Sequence, residues 1–192
     1  MIRTVQIAWL RWQGRIALLV GLPAHALRAF DALQALDAGD AHALASLAQL
    51  EDRLGRPEQA LSLQRRLVAQ VPGQAAAWFN LGFMLEKAAL LDEALSAFEQ
   101  ATRLSPKLDR AWYGMGLVLI RLQRFDEAAD ALRKNTELQP MSPYGWYQLA
   151  RVHVDRQEPE EARRIIRHLH GFEPKVAAQL ERETGLRIAR SG

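Results

Sequence analysis

The sequence predicts an all-α protein, a solenoid of stacked helix hairpins, and three periodicities carry that expectation. Alanine recurs every 34 residues at Ala26, Ala60, Ala94, Ala128 and Ala162, proline keeps the same interval at Pro72, Pro106, Pro140 and Pro174, and Trp78, Trp112 and Trp146 share a third slot. A fixed period of about 20 to 50 residues means that each unit cannot bury its apolar face alone and must stack on its neighbours. Chains of this kind bind more often than they catalyse.

Rows of 34 start at Ala41, Ala75, Asp109 and Pro143, preceded by a degenerate row from Ile7 to Asp40. Around the start of that row Val5, Trp9, Trp12, Ile16 and Leu19 recur at helical spacing, which predicts a first helix that buries this stripe against the stack. Arg11, Gln13 and Arg15 interrupt the stretch from Val5 to Leu22, so no run of about 18 apolar residues is present to span a membrane. Nor does a cleavable signal pattern follow Leu22. Gly21-Leu-Pro-Ala-His-Ala-Leu aligns with Gly55-Arg-Pro-Glu-Gln-Ala-Leu one period later, which ties the degenerate row to the others.

Proline is tolerated in the first helical turn or just past a helix end, and every proline obeys that rule in this register. Pro23, Pro57 and Pro159 begin second helices, Pro143 opens a first helix, and Pro72, Pro106, Pro140 and Pro174 close second helices. Glu58, Asp92, Asp126 and Glu160 stand at second-helix starts, where the helix dipole favours a negative charge. Small residues in columns eight and twenty let paired helices approach closely. Tryptophan in column four and large residues in columns seven, eleven and twenty-four are expected to supply the core. Lys175 to Thr184 reads as a solvating cap helix ending at Gly185.

The row from Ala75 to Leu108 reads Trp78, Leu81, Gly82, Leu85, Ala94, Phe98, Pro106, and this resembles the tetratricopeptide repeat, W-x2-L-G-x2-Y…A-x3-F…P. The resemblance implies a right-handed α-solenoid of helix-turn-helix repeats. The expected organisation is one domain over residues 1–192: a degenerate repeat at 7–40, repeats at 41–74, 75–108, 109–142 and 143–176, and a cap helix and tail at 177–192.

The resemblance also implies a concave surface lined by the first helices. Carried over column by column, it nominates Phe79, Asn80, Phe83, Arg110, Tyr113, Leu117, Tyr144, Tyr147, Gln148 and Arg151 as contacts for a partner peptide or helix. Aromatic rings and arginine concentrate binding energy because they bury much area at modest entropic cost. The same rings would also serve packing between neighbouring first helices. The carboxylate clamp that some relatives use for a chaperone tail is incomplete here, because Ala45, Gln49, Asn80, Arg110 and Gly114 fall in its positions. Phe83 and Leu117 favour an apolar or amphipathic segment instead.

The 192 residues carry a formal charge of +3, a pI near 9.6 and no cysteine, which excludes disulfides and thiol nucleophiles and fits a reducing compartment. Phosphate-binding glycine loops, zinc-protease motifs and nucleophile elbows are absent from the sequence. His153, in column eleven, reads as a packed structural histidine. The expected function is therefore a non-catalytic cytoplasmic adaptor with no cofactor, metal site or small-molecule substrate. An exported-protein or assembly chaperone is the alternative. A third reading, peripheral binding to nucleic acid or anionic membrane, rests on Arg163, Arg164, Arg167, His168 and His170 with Arg182, Arg187 and Arg190; neither partner is expected. Self-association is permitted, but no residue specifies it.

Overall fold

A computed structural model describes residues 2–188, and all regular structure among them is helical. The helices are α1 (Ile2–Leu19), α2 (Pro23–Leu36), α3 (Ala41–Arg53), α4 (Pro57–Gln70), α5 (Ala75–Lys87), α6 (Leu91–Leu104), α7 (Asp109–Arg121), α8 (Phe125–Leu138), α9 (Pro143–Asp155), α10 (Pro159–His170) and α11 (Pro174–Thr184). The starts of α3, α5, α7 and α9 coincide with the four row boundaries, and no proline falls inside a helix beyond its first turn. Pro174 departs from expectation only in its role, because it opens α11. The degenerate row also departs: α1 begins at Ile2, ahead of the boundary at Ile7.

The helices group into two compact units, one ending at Ala89 with α1 to α5 and one beginning at Leu90 with α6 to α11. In the first unit Ala17, Ala26, Phe30, Leu33, Ala43, Leu47 and Leu50 form a buried cluster, with Ile7, Leu10, Leu27 and Leu63 packed on it. In the second, Phe98, Leu119, Leu132, Ile166, Leu169 and Leu180 are fully enclosed. Each such side chain contributes about 1.5 to 3 kcal/mol. The alanine column is buried throughout, at 1 % exposure for Ala60 and 0 % for the other four.

The reason for small residues in column eight is visible inside the hairpins. A Cβ on Gly14 would stand 2.6 Å from the Phe30 ring, and one on Gly116 would stand 2.7 Å from Leu132 Cγ. Column eight thus receives the large residue of column twenty-four across each of these hairpins.

One device repeats at the hairpin turns. Gly21 and Gly55 have φ of 74°, and Ala89, Gln123 and Gln157, each one period on, have φ of 58°, 60° and 60°. The next residue's N–H then reaches back five residues, as from Leu22 to Ala17 O (2.8 Å), Arg56 to Glu51 O (2.9 Å), Arg124 to Leu119 O (2.9 Å) and Glu158 to His153 O (2.8 Å). This is the Schellman closure, in which a left-handed residue satisfies the last carbonyls of the first helix. Glycine adopts that conformation without steric cost, whereas alanine and glutamine do not.

Three core expectations need correction. Trp78, Trp112 and Trp146 are half-buried rather than enclosed, and each indole N–H donates to the carbonyl of the proline six residues earlier. An indole needs a polar partner at its nitrogen, which holds the ring at the rim. Columns eleven and twenty-four also admit polar residues beyond the packed His153 that the sequence predicts: Glu51 in the former and Gln64 in the latter, all three buried. Each finds a partner. Glu51 receives Arg56 at 3.2 Å, His153 Nδ1 lies 2.7 Å from Glu158 Oε2, and Gln64 Nε2 donates to Ala77 O at 2.7 Å.

The third correction concerns α1. Val5, Trp9, Trp12 and Leu19 are 66, 53, 54 and 82 % exposed, and Ile16 also faces outward. The helix buries Gly14 and Ala17 against α2 instead, because the Phe30 ring comes too close to Gly14 for any larger residue. Helical spacing identified the stripe but assigned it to the wrong side.

Candidate functional site

In the second unit, α7, α9 and α11 enclose an open cleft of about 470 Å³. Tyr113 comes from α7, Pro143, Tyr144, Tyr147 and Gln148 from α9, and Val176 and Gln179 from α11, with Glu173 at the start of α11. Tyr144, Tyr147 and Gln148 obey helical spacing on α9, as Val176 and Gln179 do on α11, so one face of each of these helices meets the cleft. Tyr144 is 71 % exposed; Tyr113, Tyr147 and Gln148 are half-buried.

A clasp closes one side. The Tyr147 hydroxyl donates to Glu183 Oε2 at 2.6 Å, and Gln179 Nε2 donates to the other oxygen at 2.8 Å. The Arg151 guanidinium carbon lies 5.8 Å from the Tyr147 ring centroid, a cation over a π face. The bond to Glu183, helped by burial, pushes the Tyr147 phenol above its usual pKa. The bond from Tyr147, followed by that from Gln179, pulls Glu183 below the usual carboxylate range. These opposite shifts are the signature of one shared proton donor and one ionised acceptor. Beside the clasp, Arg151, Val154, Asp155, Glu183 and Thr184 line a second hollow of about 370 Å³.

Of the residues nominated from sequence, Tyr113, Tyr144, Tyr147 and Gln148 are brought together in the cleft. Arg151 lies beside it in the second hollow. Arg110 is exposed and Leu117 half-buried on α7, and neither is part of the described cleft wall. Phe79, Asn80 and Phe83 stand on α5 in the first unit. Phe83 is 47 % exposed, with Lys87 Nζ 5.7 Å from its ring centroid and tied to Asp52 at 2.5 Å. Phe79 and Asn80 are half-buried.

Column reasoning missed the α11 wall, Val176, Gln179 and Glu183, because this helix was read only as a solvating cap. Its signal was present: Ala177 and Leu180 are buried at helical spacing, leaving Val176, Gln179 and Glu183 on an adjoining face. The basic surface of α10 is largely balanced, since Arg163 bonds Glu160, Arg164 meets Glu161 at 3.0 Å, and His170 lies 3.4 Å from Glu181. Arg190 falls outside the described residues. Among the described residues no group of three histidine or acidic side chains is placed to hold a metal ion, and no helix is long and apolar enough to cross a membrane.

Comparisons with known proteins agree with this architecture. Similar solved structures include MamA (19 % identity, 97 % of this chain and 98 % of that one, TM-score 0.80) and YrrB, described as a TPR protein with an unusual peptide-binding site (18 %, 88 % and 88 %, TM-score 0.79). A third is pilF of Pseudomonas aeruginosa (20 %, 95 % and 92 %, TM-score 0.72). At these identities the likeness is one of fold. No curated protein matches the sequence significantly. The tetratricopeptide repeat profile matches in four overlapping windows, residues 13–75, 46–109, 85–140 and 113–169. With the 34-residue register, the hairpin pairs and those windows in agreement, the chain belongs to the tetratricopeptide repeat family as an all-α solenoid protein.

Proposed function

We propose that this protein is a non-catalytic adaptor that receives a short polypeptide segment in the cleft between α7, α9 and α11. The observation that carries this reading is the convergence of Tyr113, Tyr144, Tyr147 and the Gln148 amide on one open hollow. Tyrosine offers a large rigid contact face together with a hydroxyl, and a glutamine side chain can both donate to and accept from a peptide backbone. At about 470 Å³ the cleft accepts a few side chains rather than a folded domain. YrrB, a TPR protein of similar fold with an unusual peptide-binding site, is consistent with that use. Glu173 in the cleft wall, with Arg151 and Glu183 together in the hollow beside it, suits a segment of mixed charge.

The test is a titration of a captured partner's mapped peptide against Tyr144→Ala and Gln148→Ala proteins of unchanged helicity. Loss of a central aromatic anchor is expected to weaken binding by about tenfold or more. Equal affinity for wild type and both variants would remove the cleft from consideration.

A further inference from the structure

The outward ridge of α1 consists of Ile2, Val5, Trp9, Trp12, Ile16 and Leu19, spaced alternately by three and four residues along the helix. Trp9 and Trp12 stack on it with ring centroids 5.1 Å apart. Beside the ridge, Trp12, Ile16, Val20 and Leu22 line an open furrow of about 400 Å³, with His25 and Arg28 of α2 at its edge. Six exposed apolar positions in one row on a soluble domain mark a docking surface rather than scattered surface residues.

The charge around the ridge selects the occupant. Residues 2–30 contain Arg3, Arg11, Arg15 and Arg28 and no aspartate or glutamate; the first acidic residue is Asp31. Arg11 is engaged by Asp40, and Arg3 by the Leu36 carbonyl, which anchor α1 to its own fold. Arg15 and Arg28 are exposed. On the helix surface Arg15, Gln6 and Gln13 flank the ridge, so a second copy of α1 laid against it would meet arginine and glutamine with no acid to pair. A surface of anionic headgroups over acyl chains complements both features at once.

We infer that α1 lies flat on anionic lipid, with the ridge entering the headgroup and acyl boundary and Arg15 and Arg28 meeting phosphate groups. Tryptophan favours this depth because its ring is apolar and its N–H polar. A basic helix with one apolar face and aromatic residues on it is the form that interfacial binding requires. At 1.5 Å per residue the 18-residue helix offers a line of contact about 27 Å long. The furrow beside it gives an acyl chain a place to lie.

The test is flotation of the whole chain with vesicles of phosphatidylcholine, alone or with about 30 mol % phosphatidylglycerol. Wild type is expected to float with the anionic vesicles and stay behind with the neutral ones. Trp9→Ala/Trp12→Ala and Arg15→Glu/Arg28→Glu proteins, which alter only exposed positions and retain wild-type circular dichroism, are each expected to lose about tenfold in bound fraction. Three results would overturn the inference: no flotation of wild type with anionic vesicles, flotation of both double variants equal to that of wild type, or a dimer in sedimentation that Trp9→Ala/Trp12→Ala dissolves while vesicles remain unbound. The last would assign the ridge to a second copy.

Discussion

Arg11 grips the carboxylate of Asp40 through two nitrogens, Nε at 2.8 Å and Nη2 at 2.5 Å, while the other Asp40 oxygen accepts the Ala43 N–H at 2.8 Å. One side chain therefore caps α3 and holds α1. Burial opposes the charge on Asp40, but the Ala43 and Arg11 bonds outweigh it and leave the carboxyl below its usual pKa. Asp40→Ala is expected to cost about 1 to 2 kcal/mol in urea unfolding, the usual range for a lost cap. Because the folded value is depressed, the contribution is present above the ordinary carboxylate range and fades as pH falls through the folded value. The stability difference between wild type and Asp40→Ala should shrink accordingly in acid.

The clasp between α9 and α11 has a pH window at each end. Glu183 is depressed, so its bond is present at neutral pH and is lost as pH falls through the folded value; Tyr147 is raised, so its bond is lost as pH rises through its own. The protection factors of the Ala177 and Leu180 amides in α11, with the intrinsic pH dependence of exchange removed, are expected to fall at both extremes. In Tyr147→Phe they should be low throughout, with no loss at the alkaline end and only a small one in acid, where the Gln179 bond to Glu183 remains to be lost.

Gln64 is 1 % exposed and donates to the Ala77 carbonyl. Gln64→Leu should cost only about 1 kcal/mol, because that carbonyl keeps its bond within α5. Gln64→Glu would set a buried carboxylate against a carbonyl oxygen and should cost about 3 kcal/mol or more near neutral pH. Chemical denaturation of the pair separates the bond from the volume it fills.

Gly145 marks the tightest approach in the second unit. A Cβ there would stand 2.2 Å from Asn135 Oδ1, and Asn135 is held by its own bond from Nδ2 to Asp109 O at 2.9 Å. Since the asparagine cannot turn aside without losing that bond, Gly145→Ala is expected to lower stability by about 1 to 3 kcal/mol. Thermal unfolding checks it.

Gln123 occupies the left-handed turn position that glycine fills in the first two hairpins. Gln123→Gly removes that steric cost but adds freedom to the unfolded chain, and the net gain should be about 0.5 to 1 kcal/mol. A loss of stability at both Gln123 and Gln157 would show that their side chains, rather than the backbone, matter at the turn.

The repeat register was legible because period, proline placement and small residues all encode the same hairpin, and α3 to α10 begin where those columns put them or within a residue. Of the left-handed turns, only those at Gly21 and Gly55 carry a residue that favours positive φ; alanine and glutamine give no local sign of it. The outward turn of α1 was hidden for a different reason: spacing shows that Val5, Trp9 and Trp12 share a face, but not that the Phe30 ring reserves the opposite face for Gly14. In the cleft, Tyr113, Tyr144, Tyr147 and Gln148 came from the columns. Glu183 and Gln179 did not, because α11 lies beyond the last repeat and its contacts follow from packing on α9.

The tryptophans divide the molecule optically. Trp78, Trp112 and Trp146 each have a half-buried, hydrogen-bonded indole at 2.8, 2.9 and 2.8 Å, with the His168 ring centroid 4.5 Å from that of Trp146, whereas Trp9 and Trp12 are stacked and open to solvent. The three bonded rings therefore report on the loops between repeats, while the other two form a close pair able to couple in the near ultraviolet. A soluble quencher would reach that pair first, so events on the opening helix can be followed without labels and apart from unfolding of the rest.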